Sequence, residues 1–341
     1  MTSAAEPRRE GGKLVVPALS TLMALLLATG WLLSGHLVSD APALAVAAGR
    51  TAASFVTISL VVALTSRGRS EPGRSEPGRS GRRGSDLRAE VRIAASRRRA
   101  VVLLSFLGFF VYYSGTLLGT SRIGASQVGL IVSLLPCLTF LIGIATFGEK
   151  STLRKASGTL LAVAAAIGYA VADGAAGAEK AGSGHGGLVI GVLLALGGTL
   201  SYALYGYVYR WRMPDLSPLA SLPAITGGGT VMLGLATVLF VPLGGIGLSS
   251  WAGIALLGAV LTAPVFVISH ELILRKGPLF TSSVALIVPF LVRLGEWTLG
   301  WATAPGPLVL VLIFLCAAGV WLTVGGPARP VLRTRLKQGT P

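Results

Sequence analysis

The chain has 341 residues, of which 52% are apolar and only 12% charged, against roughly 25% charged in soluble domains. So few charges cannot cover a water-facing surface of this size, which excludes an ordinary soluble protein. Cys137 and Cys316 both sit in apolar runs, excluding a disulfide scaffold and a Cys-based metal centre. The net charge of +16 points to nucleic acid only if it is gathered on one face.

A helix needs about 20 mainly apolar residues to cross a hydrocarbon core. In chain order, ten stretches meet that need: 14–35, 42–64, 100–120, 125–147, 156–173, 187–208, 220–242, 250–270, 281–301 and 306–324. They are too long and too continuously apolar for barrel strands, and lipid offers the backbone no other partner than a helix. The sequence therefore predicts an all-α integral membrane protein with ten transmembrane helices.

The cations test this layout independently. With a cytoplasmic arm at 1–13 and alternating spans, 25 of the 29 Lys and Arg fall on the cytoplasmic side, as the positive-inside rule requires. Eleven of them lie between the second and third spans, in a segment at 66–99 that holds a tandem Ser-Glu-Pro-Gly-Arg repeat from Ser70. That composition predicts a disordered, basic cytoplasmic loop, with contact to anionic membrane lipid as its functional alternative. The tail at 325–341 is basic and cytoplasmic on the same reading. Charge spread along one membrane side argues against nucleic acid.

The spans fall into two five-helix halves, 14–173 and 187–324. An odd number per half inverts the second relative to the first, an architecture of secondary transporters. Arg122 opens a small, polar, then apolar stretch that reaches Pro136, and Arg275 opens a similar one that reaches Pro289, so the fourth span corresponds to the ninth.

Trp31, Pro42 and Arg50, then Gly124–Gln127, Pro136 and the Phe147–Lys150 stretch ending in Gly148 and Glu149, stand in an order that resembles the drug/metabolite transporter superfamily, in its EamA-like branch. The second half departs from that pattern, its Gly295–Glu296 pair lying closer to Pro289 than Gly148–Glu149 lies to Pro136. The resemblance implies alternating access, a pathway lined by helices 1–4 and 6–9, and efflux of a small metabolite, amino acid or drug-like compound, coupled to protons.

Charges in mid-membrane need a partner or a task. Two roles fit Arg50: anchor of an anionic substrate, or structural partner of a carboxylate on a neighbouring helix or of exposed helix-end carbonyls. Arg293 and Glu296 share a helix face, so Glu296 is either half of a structural ion pair or a protonatable coupling site tuned by Arg293. Tyr202, Tyr205 and Tyr209 also share a face, as a substrate lining or as interhelical packing. Tyr112, Tyr113 and Gln127 add polar candidates. Glu149 is expected to be an interfacial cap, and His270 with Glu271 a solvated cluster beside Arg275 and Lys276. The small residues Gly158, Ala162, Ala166 and Ala170 suit close helix packing or a homodimer face.

No Walker-type phosphate loop, His-Glu-x-x-His or Gly-x-Ser-x-Gly motif is present. The expectation is a multi-pass plasma (inner) membrane transporter without enzymatic activity, cofactor or metal, both termini cytoplasmic. A membrane enzyme on lipid-linked substrates, or a channel or scaffold, is the alternative.

Overall fold

The computed structural model describes residues 11–67, 82–123, 125–148, 152–178, 185–242, 244–301 and 304–324. Among these residues the regular structure is entirely helical. In chain order it comprises α1 (Gly11–Asp40), α2 (Ala43–Arg67), α3 (Arg82–Ser96), α4 (Arg98–Ser105), a π-helical turn at Phe106–Val111, α5 (Tyr112–Ile123), α6 (Ala125–Ser133) and α7 (Leu135–Phe147). There follow α8 (Leu153–Ala178), α9 (His185–Arg212), α10 (Pro218–Phe240), α11 (Leu248–Leu256), a second π-helical turn at Leu257–Thr262, and α12 (Ala263–Lys276). Last come α13 (Pro278–Val284), a 3-10 turn at Ala285–Ile287, α14 (Val288–Thr298) and α15 (Pro307–Val324).

Among the described residues seven stretches are long and apolar enough to cross a membrane: Val15–Asp40, Ala43–Ser66, Arg98–Ile123, Val189–Arg212, Pro218–Phe240, Leu248–Lys276 and Pro278–Thr298. They coincide with the expected spans 1, 2, 3, 6, 7, 8 and 9. The other three expected spans fall on α6–α7, α8 and α15, of which Ile131–Phe147 and Pro307–Gly319 qualify only as shorter apolar helices.

The fourth expected span is interrupted because Pro136 has no amide to donate and its ring clashes with the preceding turn. Leu134 closes a tighter turn onto Ile131 instead, and α7 restarts at Leu135. Pro289 has the same consequence, with a 3-10 turn just before α14. The third and eighth expected spans both carry a π-helical turn, for which neither sequence offers a local signal.

The glycine run inside the seventh expected span, Gly227–Gly229, leaves α10 unbroken and has a packing reason. A Cβ on Gly228 would stand 2.3 Å from the Ser105 hydroxyl oxygen, and one on Gly229 2.5 Å from Cβ of Phe109. Only a smooth helix surface admits the first π-helical turn at that depth, and Ser105 uses the proximity to donate to the Ile225 carbonyl at 2.8 Å. The buried cluster around Phe109, Tyr113, Tyr205 and Phe266 unites both halves of the chain. Away from it, α15 packs along α8 and buries Ala162 and Ala165, covering part of the small-residue face inside this chain. Trp211, Trp301 and Trp321 are exposed near helix ends, where amphipathic rings anchor at a membrane interface.

The loop at 66–99 differs from expectation. Residues 68–81, with the tandem repeat, lie outside the described residues, as do the arms at 1–10 and 325–341. Residues 82–96, however, form helix α3, so the disordered reading does not hold for them. Composition misled because seven arginines at 82–99 outweigh the buried or half-buried stripe of Leu87, Glu90, Val91 and Ala94 that seats the helix on α2 and α10. Arg88 donates to the last-turn carbonyl of Ser66 at 3.2 Å. Glu90 accepts both the amide of Ser217, at 3.1 Å, and its hydroxyl, at 2.6 Å, just where α10 begins. Arg97 forms a bidentate pair with Asp215 at 2.8 and 2.5 Å and also reaches the Arg212 carbonyl at 2.7 Å. Those hydrogen bonds from Arg97 hold the Asp215 carboxyl below the usual carboxylate range.

Candidate functional site

The candidate site is built around Arg50, two turns into α2. Its Nη2 donates to the Thr262 hydroxyl at 3.0 Å and its Nη1 to the Ser34 hydroxyl at 3.4 Å. The guanidinium lies 4.7 Å from the centre of the Tyr113 ring, within cation–π range. Both hydroxyls have their own protons engaged on backbone carbonyls, Thr262 on Leu257 at 2.7 Å and Ser34 on Gly30 at 2.6 Å. Each therefore presents lone pairs to the cation.

The second π-helical turn makes this possible. Its wider winding lets Thr262 reach back five residues to Leu257, and such turns recur at functional sites. Gly258 lies in the same turn, and a Cβ there would stand 2.3 Å from the Arg50 carbonyl oxygen. Ser54 clasps the contact by donating to the carbonyls of Arg50 and Gly258, both at 2.8 Å.

Beside Arg50 lies a cavity of about 40 Å³, room for roughly three water molecules. Trp31, Tyr112, Tyr113, Thr116 and Thr262 line it with Arg50, and leucines of α1, α5 and the π-helical turn complete an otherwise apolar wall. Its walls come from α1, α2 and α5 on one side and from the second π-helical turn and α12 on the other.

Of the residues singled out in the sequence, Arg50 and Tyr112 line this cavity together. Tyr202 stands behind Tyr112 with ring centres 4.5 Å apart, but does not line it. Tyr205 is fully buried and directs its hydroxyl at Nε2 of His270, away from the cavity. Arg293 is buried and Glu296 half-buried one turn apart on α14, each with polar or electrostatic interactions of its own, and neither lines the cavity. Glu149 and the Gln127 side chain lie outside the described residues.

His270 corrects a second expectation. It is 1% exposed. Its Nδ1–H donates to the Phe266 carbonyl at 2.5 Å, which leaves Nε2 to accept from Tyr205. The Tyr209 ring meets the imidazole edge-on at 4.5 Å, and its hydroxyl pairs with Ser221 at 2.9 Å. Glu271, the next residue, pairs with Arg275 at the surface. Charge counting put both in water, whereas helix rotation turns only Glu271 outward. Ser34 and Thr262 also escaped the sequence reading, because nothing in their spacing links them to Arg50, 16 and 212 residues away.

Residues 17–171 match the model of the EamA-like transporter family. Over that stretch the chain is similar to EamA-like transporters. No curated protein matches it. Among the solved chains that match is one described only as a protein crystal structure, with a TM-score of 0.63 at 18% identity, covering 89% of this chain and 96% of the other. At that identity the likeness speaks for the fold alone. The EamA-like match and the seven membrane-crossing helices together describe a multi-pass membrane protein with a transporter-like fold.

Proposed function

We propose that this EamA-like chain is a secondary transporter that exports a small metabolite, amino acid or drug-like compound across the plasma membrane by alternating access, coupled to protons. The observation that carries this reading is the Arg50 cavity. It sets a cation and hydroxyls in a mostly apolar wall, lies within the membrane-crossing helices, and draws its walls from both halves of the sequence, where a transporter's substrate site belongs.

Matched irregularities support two inverted five-helix units at 14–173 and 187–324. The third and eighth spans share a π-helical turn, and the fourth and ninth share a break before a proline. On this reading the ten spans leave both termini in the cytoplasm. Arg50 and Tyr112 contact substrate, Gln127 joins them from α6, and Tyr202 and Tyr205 support the wall from behind. Glu296 takes the coupling proton, with Arg293 one turn away setting its affinity.

Counterflow of a radiolabelled metabolite panel in proteoliposomes, with and without a pH gradient, tests the function. Saturable flux that responds to the gradient is expected. Flux that is unsaturable and indifferent to the gradient, or a current in its place, overturns it. Glu296→Gln should abolish gradient-driven flux while sparing counterflow; loss of neither removes the coupling role.

A further inference from the structure

We infer that the Arg50 cavity binds a short-chain monocarboxylate, held by its charge and its apolar body and without recognition of an amine. This deepens the transporter reading by naming the substrate class, and it rests on that reading only for transport, not for binding.

A guanidinium carries five N–H donors. Two are engaged, by the neutral hydroxyls of Ser34 and Thr262. Of the three that remain, the Nε–H is buried and has no acceptor. No carboxylate pairs with Arg50 among the described residues. A guanidinium fixed among membrane-crossing helices with no counter-ion is costly to hold empty, and a carboxylate matches its fork. Among the described residues no carboxylate fills the structural-pair role, and the neutral hydroxyls of Ser34 and Thr262 stand in its place.

The rest of the lining limits what accompanies the carboxylate. Leu26, Leu27, Leu117, Leu261 and Val265 are hydrocarbon, and Trp31 and Tyr112 add ring faces. Among the described residues no Asp or Glu lines the cavity, so an ammonium group would enter beside a cation with no acid to receive it. Room for roughly three waters beside the guanidinium favours a small acid over a long one. Ser34 and Thr262 have already committed their protons, so neither competes with Arg50 for the anion.

Equilibrium binding of radiolabelled propionate to the purified full-length chain in lipid nanodiscs tests the inference. Acetate and butyrate should displace the label. Propionamide, which matches propionate in shape without its charge, alanine, which adds an ammonium, and octanoate should each compete at least tenfold more weakly. Chloride at matched concentration should fail to displace it. Propionamide or alanine competing as well as acetate, or chloride displacing the label, overturns the inference without recourse to any variant. Arg50→Gln should lower affinity at least tenfold while melting as a folded protein, and unchanged affinity overturns the assignment to Arg50. Proteoliposome flux separates the two readings. Propionate binding without flux keeps this site and removes the transporter, whereas counterflow of other compounds with no propionate binding keeps the transporter and removes this ligand class.

Discussion

Two buried polar centres sit a few turns apart, and they differ in how completely they are satisfied. Around His270 every polar atom has a partner: Nδ1 with Phe266, Nε2 with Tyr205, and the neighbouring Tyr209 with Ser221. Around Arg50 the hydroxyl partners are neutral, the Nε–H is unanswered, and a cavity opens alongside. The closed network reads as structure, because a filled set of hydrogen bonds holds α9, α10 and α12 in one arrangement. The open one reads as a site, because its remaining valence points to something the chain does not itself supply. Buried polarity alone does not mark function; buried polarity left incomplete beside space does.

The largest test of this contrast lies in the closed network. Tyr205→Ala should destabilise the protein by about 3–5 kcal/mol, since it deletes a fully buried ring. Tyr205→Phe, which removes only the hydroxyl and strands Nε2 of His270, should cost about 1–2 kcal/mol. Thermal unfolding in a fixed detergent reads both, and a neutral Tyr205→Phe would dissolve the distinction between the two centres. Arg50→Met should act in the other direction. The empty protein should be unchanged or up to about 1 kcal/mol more stable, because a flexible apolar chain replaces a charge without a counter-ion. The same variant should lose binding and flux; marked destabilisation would show that Arg50 is a structural residue.

A smaller effect is expected at α3. Glu90 answers the Ser217 amide from another helix, much as a capping-box carboxylate does within its own. Glu90→Ala should cost about 1 kcal/mol in the same melting assay. The smallest concerns Asp215. Its carboxyl pKa is depressed in the fold, so the stabilisation from Arg97 is complete above the ordinary carboxylate pKa and fades as pH falls through the folded value. For a pair this exposed about 0.2–1 kcal/mol is expected. The melting-temperature gap between the native protein and Asp215→Asn should therefore be widest near pH 6 and close towards pH 3.

Several features were legible in advance for identifiable reasons. Seven expected spans recur as helices because 18 or more apolar residues leave water for lipid, where the backbone finds partners only within a helix. The interruptions near Pro136 and Pro289 follow from a missing amide. Arg50 stood out because a cation inside an apolar run is expensive. The Tyr202–Tyr205–Tyr209 face was visible as a period, yet its role as lining or packing was open, since periodicity says which residues share a face and not what that face meets. Helix α3 was hidden by its own arginines, of which Arg88 docks its head on the Ser66 carbonyl.

What the chain determines by itself is its medium and the rough placement of its helices, because transfer of apolar surface out of water depends on composition along the sequence and little else. Which of the polar residues meet was decided only in three dimensions. The contact of Arg50 with Thr262, the inward turn of His270 and the cavity between the halves each depend on helix rotation and on two π-helical turns. Those are set by close packing at positions such as Gly229 and Gly258, where a single Cβ would force the helices apart.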